Sequence, residues 1–321
     1  MKPLRLPANQ PRRFYRGGDR IARFRGLPAP DDHVPEDWVG STTTVSGSDR
    51  DGLAVLEDGR LLRDALAAEP EAFLGDTHVR RFGPDPLLLV KLLDAGERLP
   101  VHSHPDDEFA RGRLGAPHGK SEAWLIVEGG TIHLGFRNDV DAETVLGWVD
   151  RQDGEAMRAA MNEREVAPGD CVYVPAGVPH ALGEGVFMVE VQQPSDLGVL
   201  LEWERYGLDP KDAHMGLGWE AALAAVRLTA VGAGEVDAWT IRGGGSLVPP
   251  EAERFFRAER IRGGASLEPA YSILVVVDGA GRLGELELQR GDTVLVPFDS
   301  GAGELDGDLE AIRCLPPRAG A

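Results

Sequence analysis

The chain has 321 residues, a formal net charge of -19 at pH 7 and a hydrophobic content of 42%. A charge this negative repels nucleic acid and anionic membranes, so neither is expected as a partner. No apolar segment approaches the roughly 20 residues that a membrane-spanning helix needs, and the basic N-terminal segment lacks the apolar stretch of a secretory signal. The two cysteines, Cys171 and Cys314, match no metal or redox spacing and suit buried thiols in the cytoplasm.

Short apolar stretches between glycine, proline and aspartate turns predict many β-strands. The chain contains 41 glycines and 23 prolines. Strands of this length and spacing are typical of a β-sandwich or barrel. The predicted strands are TTTVSG (42–47), PLLLVKLLDA (86–95), AWLIVEGG (123–130), TIHLGF (131–136), DCVYVPAG (170–177) and GVFMVEVQQ (185–193).

Three segments with helical patterns interrupt the predicted strands. Residues 58–75 place leucines at helical spacing, and residues 141–163 predict two short helices with Asp141 and Asp153 as N-caps. Residues 209–230 contain the longest alanine-rich helical pattern. We interpret this last stretch as a connector to a second β-rich region.

The second β-rich region resembles part of the first. The segments APGDCVYVPAGVPHAL (167–182) and QRGDTVLVPFDSGAGEL (289–305) share Gly-Asp, alternating apolar residues and Val-Pro. Aligning the two prolines places Ala302 opposite His180. A repeat of a whole supersecondary unit indicates two β-barrel-like halves, of which the first carries polar candidates for a site and the second does not.

The histidines of VHSHPDDEFA (101–110) raise the possibility of a metal site. Residues two apart on a strand point to the same face, so His102 and His104 can reach one ion together. His180 lies after a Pro-Ala-Gly turn, at the predicted start of another strand. Three imidazole nitrogens and one carboxylate oxygen suit zinc or another first-row divalent ion.

Two glutamates compete for the fourth ligand position. Glu108 follows His104 by four residues, and Glu122 begins the strand pattern EAWLIVEGG. Spacing alone fits both. We prefer Glu122 because a strand pattern follows it directly, whereas Glu108 leads into a loop-like segment.

These motifs resemble the two signature motifs of the cupin superfamily. More narrowly, the chain resembles the type I mannose-6-phosphate isomerases (phosphomannose isomerases) over most of its length. The specific segments are HPDD and GK-x-E, and EDWVGSTTTVSG near the N-terminus also fits. The resemblance implies a mainly β fold of two cupin (jelly-roll-like β-barrel) domains with helical inserts. The predicted division is an N-terminal metal-binding domain (1–205), a helical connector (206–234) and a C-terminal barrel without metal ligands (235–321).

The resemblance also implies a set of site residues. Lys120 of GK-x-E lies on the substrate side as a catalytic candidate, and Glu190, in the strand after the last histidine, is a candidate proton carrier or orienting group. Zn²⁺ is the expected ion. The implied metal ligands are His102, His104, Glu122 and His180.

Two positions depart from the family pattern. In the mannose-6-phosphate isomerases a glutamine usually occupies the position of His102. The histidine in this chain is the residue that the general cupin motif has as a metal ligand at this position. The family also has an arginine four residues after the Ser195-Asp196 pair, where this chain has Leu200. Arg205 is near in sequence, but a five-residue shift along a strand also changes the face. Phosphate handling therefore needs another basic group, or the substrate is a different sugar.

The leading hypothesis is a metal-dependent aldose–ketose isomerase acting on mannose 6-phosphate or a related sugar. The alternatives are a metal-dependent cupin oxygenase and a non-catalytic sugar-binding cupin, the latter favoured by Leu200. The expected partner is a small sugar or sugar phosphate, and the oligomeric state is left open. His118, His133 and His214 are interpreted as surface residues or residues with structural partners.

Overall fold

The computed structural model describes residues 1–320 and contains mostly antiparallel β-structure. The mainly β fold with helical inserts is therefore confirmed. The strands are β1 (Leu4–Arg5), β2 (Glu36–Val39), β3 (Leu89–Asp94), β4 (His102–Ser103), β5 (Glu122–Glu128), β6 (Gly130–Phe136), β7 (Met161–Val166), β8 (Asp170–Val174), β9 (His180–Leu182), β10 (Phe187–Gln192), β11 (Val199–Leu200), β12 (Thr240–Arg242), β13 (Arg257–Arg262), β14 (Ala265–Leu267), β15 (Ser272–Leu283), β16 (Leu286–Gln289), β17 (Thr293–Val296) and β18 (Gly303–Leu315).

The helices are short and lie in the connections between strands. None of those in residues 1–320 has the length and hydrophobicity needed to cross a bilayer. They are α1 (Asp19–Arg25), α2 (Leu62–Ala68), α3 (Pro70–Leu74), α4 (Asp76–Phe82), α5 (Asp107–Phe109), α6 (Ala142–Arg151), α7 (Gly154–Ala160), α8 (Pro210–Ala213), α9 (Trp219–Ala222) and α10 (Ala233–Trp239).

Two sheets carry the candidate site. One has six strands in the order β12-β8-β5-β10-β3-β2, and the other has five in the order β11-β4-β9-β6-β7. All six residues of β10 are buried, as expected for a strand between two neighbours and covered on both faces. Full burial of each of its valines stabilises the fold by about 1.5–3 kcal/mol. A buried charged residue needs a partner of opposite charge or a hydrogen bond. Glu190 lies on β10 and is such a residue.

The C-terminal region contributes six strands, β13 to β18, to a seven-stranded sheet around β15 and β18, and β1 is the seventh. Its apolar residues continue into the core of the first region, because Tyr173 of β8 contacts Phe256 at a ring-centroid distance of 6.4 Å. Two pairings cross the predicted domain division: β1 pairs with β17, and β12 pairs with β8. The division at 1–205, 206–234 and 235–321 remains a proposal.

The helical insert follows its predicted caps. Asp141 accepts a hydrogen bond from the backbone N–H of Thr144 at the start of α6. Asp153 does the same for Ala156 at the start of α7. Each carboxylate satisfies a donor that the first turn of a helix leaves free, which fixes where the helix begins.

Two predicted elements are wrong. TTTVSG (42–47) forms no strand; the backbone N–H of Ser46 donates to Asp196 instead. Residues 209–230 do not form one long helix but α8, α9 and a short 3₁₀ turn. Gly216 and Gly218 interrupt the pattern with φ values of 74° and 80°, which right-handed helices do not contain.

Candidate metal centre and active-site cavity

The three histidines predicted as ligands lie together. His102 of β4 pairs directly with His180 of β9, and His104 follows β4 by one residue. One ring nitrogen from each histidine lies within 4.8 Å of the corresponding nitrogens of the other two. The register between the two strands, together with the His-x-His spacing, therefore brings the three rings to one point.

The hydrogen bonds of the histidines fix their tautomers. In each ring Nδ1 faces a backbone carbonyl oxygen, at 2.8 Å for His102, 2.7 Å for His104 and 2.9 Å for His180. The three carbonyl groups belong to Pro100, Leu197 and Val178 respectively. Because a carbonyl oxygen can only accept, each Nδ1 carries the proton, and each neutral ring has its lone pair on Nε2.

Glu122 joins this cluster from β5. Its Oε2 lies 3.3 Å from Nε2 of His104, and its Oε1 lies 3.2 Å from Nε2 of His180. The indole N–H of Trp124 donates to Oε1 at 3.1 Å. The competing Glu108 is exposed on α5. Of the two glutamates, the structure brings only Glu122 to the histidines.

The donor set fits a divalent metal ion. Nε2 of His104, Nε2 of His180 and Oε2 of Glu122 are buried without a hydrogen-bond partner. Lone pairs on imidazole nitrogens and on a carboxylate repel each other unless a cation lies between them. Burial, with Lys120 acting in the same direction, lowers the pKa of His104 to about 4. Burial and the His180 and His104 rings hold the pKa of His102 well below its usual range. The rings of His102 and His104 are thus neutral, as metal ligands must be.

Lys120 and Glu190 flank the cluster. The Nζ atom of Lys120 lies 3.1 Å from Oε2 of Glu122. Burial alone would lower the pKa of Lys120, but the Glu122 and Glu190 carboxylates outweigh it and raise that pKa. Burial and the Glu122 carboxylate raise the pKa of Glu190 to about 7. The site therefore holds a permanent cation beside a carboxyl group that can exchange a proton near neutral pH.

A second group of buried charges adjoins the site and was not predicted from the sequence. Arg13 forms two hydrogen bonds to the carboxylate of Asp196, at 2.9 and 3.1 Å. Lys91 lies between Glu36, at 3.4 Å, and Glu190, at 3.5 Å. A sequence signal for this group existed, since Lys91 interrupts an otherwise apolar strand in PLLLVKLLDA.

All these side chains line one cavity of about 820 Å³. Leu200, which pairs with His102 in the β4–β11 register, forms part of the wall. Lys211 of α8, an exposed residue, also lines the cavity. Arg205 does not line the cavity; it is exposed and lies 3.9 Å from Glu97. Arg205 therefore supplies no basic group to this cavity.

The three histidines that were predicted to lie outside the site do not line this cavity. His118 contacts Asp85 at 2.8 Å, and His133 contacts Glu163 at 3.4 Å. The Nδ1 atom of His214 accepts a hydrogen bond from the backbone of Gly218. Each of the three thus has a structural partner.

Comparison with known proteins gives a consistent picture. No protein-family model matches the chain. The chain is 28% identical to the mannose-6-phosphate isomerase of Streptococcus mutans over 97% of each protein. Among solved structures, that of the mannose 6-phosphate isomerase from Bacillus subtilis aligns with a TM-score of 0.78, at 24% identity over 98% of this chain and 99% of that one. A mannose 6-phosphate isomerase bound with zinc and yttrium aligns with a TM-score of 0.75, at 18% identity over 99% of this chain and 100% of that one.

The two kinds of comparison cover nearly the whole chain, and therefore include the segments that carry the histidines, Glu122 and Lys120. The resemblance to the mannose-6-phosphate isomerases that the motifs predict is thus confirmed along almost the entire length of the protein.

Proposed function

We propose that the protein is a metal-dependent aldose–ketose isomerase that interconverts mannose 6-phosphate and fructose 6-phosphate. The observation that carries the proposal is the convergence of three Nε2 lone pairs and the Glu122 carboxylate in a cavity that also contains Lys120 and Glu190. The similarity to mannose-6-phosphate isomerases supports the choice of reaction. Two buried free thiols support a cytoplasmic location.

The proposed ligands of the metal are His102, His104, Glu122 and His180. We take the ion to be Zn²⁺, because imidazole nitrogens and a carboxylate oxygen suit zinc and because a similar isomerase binds it. An ion held by these four residues would supply Lewis-acid chemistry, which polarises a carbonyl group and stabilises negative charge on its oxygen.

Glu190 and Lys120 are proposed to act on the substrate. The isomerisation moves a proton between C1 and C2, so it needs a group that both accepts and returns a proton. A carboxyl group with a pKa of about 7 is suited to both steps at neutral pH. Lys120 keeps its positive charge and, held beside Glu122, stabilises the negative charge that develops on a substrate oxygen.

The phosphate group is proposed to contact Lys211. Arg12, Arg13, Lys91 and Lys120 also line the cavity, but each lies within salt-bridge distance of a carboxylate. Within residues 1–320, Lys211 is the cavity-lining cation that forms no ion pair. A phosphate beside Lys211 would thus meet an ammonium group that is not engaged in an ion pair.

Turnover of mannose 6-phosphate by the zinc-loaded protein tests this function. We expect fructose 6-phosphate to form, the rate to fall on treatment with a chelator, and zinc to restore it. Oxygen uptake without isomerisation would identify an oxygenase instead. Sugar binding without turnover of phosphorylated or free hexoses would identify a non-catalytic binding protein.

A further inference from the structure

The short segment that carries Lys120 and Glu122 is held from two directions. On one side, the backbone N–H of Gly119 donates to Oδ1 of Asp107 at 2.8 Å. On the other side, the backbone N–H of Ser121 donates to Oε1 of Gln193 at 2.9 Å. The segment is therefore fixed on both sides of Lys120 by side chains that do not line the cavity.

Gln193 connects the two sides. Its side-chain Nε2 donates to the same Oδ1 of Asp107 at 2.8 Å, and its backbone N–H donates to the carbonyl of Ser121 at 3.1 Å. Only the amide nitrogen can donate to a carboxylate, and only the amide oxygen can accept from a backbone N–H, so one orientation of the Gln193 amide satisfies both bonds. Gln193 is 5% exposed, so water does not readily replace these bonds.

The three connected segments each carry a group of the proposed site. Asp107 follows His104 by three residues, and Gln193 follows Glu190 by three. We propose that Gln193, acting through Asp107 and Ser121, is a positioning residue that holds Lys120 and Glu122 against His104 in the metal-binding geometry. This inference rests on the proposed metal-dependent function.

The hydrogen bonds of Gln193 and Asp107 should affect metal affinity, because that affinity is sensitive to the positions of the ligands. Loss of a hydrogen-bonded group behind the ligands of a metal site typically lowers affinity about 10–100-fold. Glu122 approaches two histidines at 3.2 and 3.3 Å without a hydrogen bond to either ring nitrogen. Besides the Trp124 indole N–H and the Lys120 ammonium group, the backbone that carries Glu122 thus sets the position of its carboxylate before metal binding.

Replacing Gln193 by leucine tests the proposal. We expect Gln193→Leu to weaken Zn²⁺ binding about 10–100-fold, measured by competition with a chromogenic chelator. It should also lower kcat for mannose 6-phosphate more than it raises KM. The matched control is Gln152→Leu, because Gln152 also bonds backbone groups through both ends of its amide, at the helical insert. This control should lower the melting temperature and leave zinc affinity at the parent value.

A second test exchanges the amide group of Gln193 with the carboxylate group of Asp107. Gln193→Glu places two carboxylates together and should weaken zinc binding, whereas adding Asp107→Asn restores one donor and one acceptor and should recover most of the affinity. Parent zinc affinity in Gln193→Leu, or no recovery in the double variant, would overturn the positioning role. A parent protein that binds no zinc would instead refute the metal site itself.

Discussion

The Nζ atom of Lys120 lies 3.1 Å from Oε2 of Glu122, and both side chains are almost fully buried. The pair places a cation next to a proposed metal ligand, where it repels the metal ion but stabilises a substrate anion. In the proposed mechanism, such a cation would contribute to turnover and oppose metal binding. These two effects can be separated experimentally.

The first prediction concerns this separation. Lys120→Met should lower kcat by about 100–1,000-fold, the usual effect of removing a group that stabilises an oxyanion, while zinc stays bound at full stoichiometry. Steady-state kinetics and atomic absorption measure the two quantities. Lys120→Arg is the conservative control and should retain part of the activity. Loss of zinc from the Lys120→Met variant would show that Lys120 acts mainly by holding Glu122 in place.

The second prediction concerns the metal ligands. Loss of a residue that is hydrogen-bonded to a metal ligand typically weakens metal binding roughly 10–100-fold. His104→Ala should weaken zinc binding by more than this, because Nε2 of His104 is buried and has no hydrogen-bond partner. His133→Ala is the control, since His133 faces the exposed Glu163 away from the cavity. Equal zinc content in the two purified variants would contradict the assignment of His104.

Much of the β-structure could be predicted because local patterns carry it. Alternation and flanking turns indicate β5, β8 and β10, and the His-x-His spacing places two rings on one face. TTTVSG (42–47) has the β-branched residues of a strand but no partner strand, and its Ser46 binds Asp196 instead. Strand propensity is expressed only where a neighbouring strand is present.

The site was only partly predictable for a different reason. The direct pairing of His102 with His180 is a cross-strand register that spacing does not contain. The charges of Arg13, Glu36 and Lys91 come together through tertiary folding across segments far apart in the chain. A single charged residue in an apolar strand, such as Lys91, indicates that a buried charge group exists, but the sequence does not identify the residues with which it pairs.

The third prediction concerns the charge of the substrate. Lys211→Ala should raise KM for mannose 6-phosphate by roughly 10-fold or more, since a hydrogen bond to a charged group contributes about 1.5–3 kcal/mol. Turnover of free mannose, if present, should not change. Leu200→Arg should increase the preference for the phosphorylated sugar, because it adds a cation to the cavity wall.

Arg205→Ala is the control for the third prediction, because Arg205 is exposed and outside the cavity. If Lys211→Ala affects both sugars equally, Lys211 does not recognise the phosphate. Faster turnover of free mannose than of mannose 6-phosphate by the parent protein would show that the natural substrate is uncharged.

The fourth prediction concerns acid stability at Asp85. Burial would raise the pKa of Asp85, but the hydrogen bonds from His118 and from the backbone of Leu87 outweigh it and lower that pKa. A carboxylate whose pKa is lower in the folded state stabilises the fold above its unfolded value of about 3.9, and this contribution disappears as the pH falls through the folded value. Asp85→Asn should therefore be less stable than the parent in urea at pH 7.

The difference between Asp85→Asn and the parent should shrink as the pH decreases below about 4, because the parent carboxylate is then protonated as well. Asp58→Asn provides a comparison, since Asp58 lies at the surface beside Arg60 and exposed pairs contribute little. A stability difference for Asp85→Asn that does not vary with pH would show that the charge of Asp85 is unimportant.

The fifth prediction concerns the glycine of GK-x-E. A Cβ atom at Gly119 would lie 2.4 Å from the carbonyl carbon of Asp106, 2.5 Å from the carbonyl oxygen of Pro105 and 2.6 Å from the backbone nitrogen of Asp107. All three atoms belong to the backbone, so no side-chain rotation relieves the contact. Gly119→Ala must separate the HPDD turn from the segment that carries Glu122, at a cost of about 1–3 kcal/mol in unfolding free energy.

The same separation should weaken zinc binding, because His104 and Glu122 lie on opposite sides of this contact. Gly112→Ala is the matched control: a Cβ at Gly112 meets no atom within 4 Å, and Gly112 lies within a helical turn. Alanine is favoured over glycine in helices by about 0.5–1 kcal/mol, so this variant should be as stable as the parent or more so. Equal stability and zinc affinity in the two glycine variants would contradict the close packing of HPDD against GK-x-E.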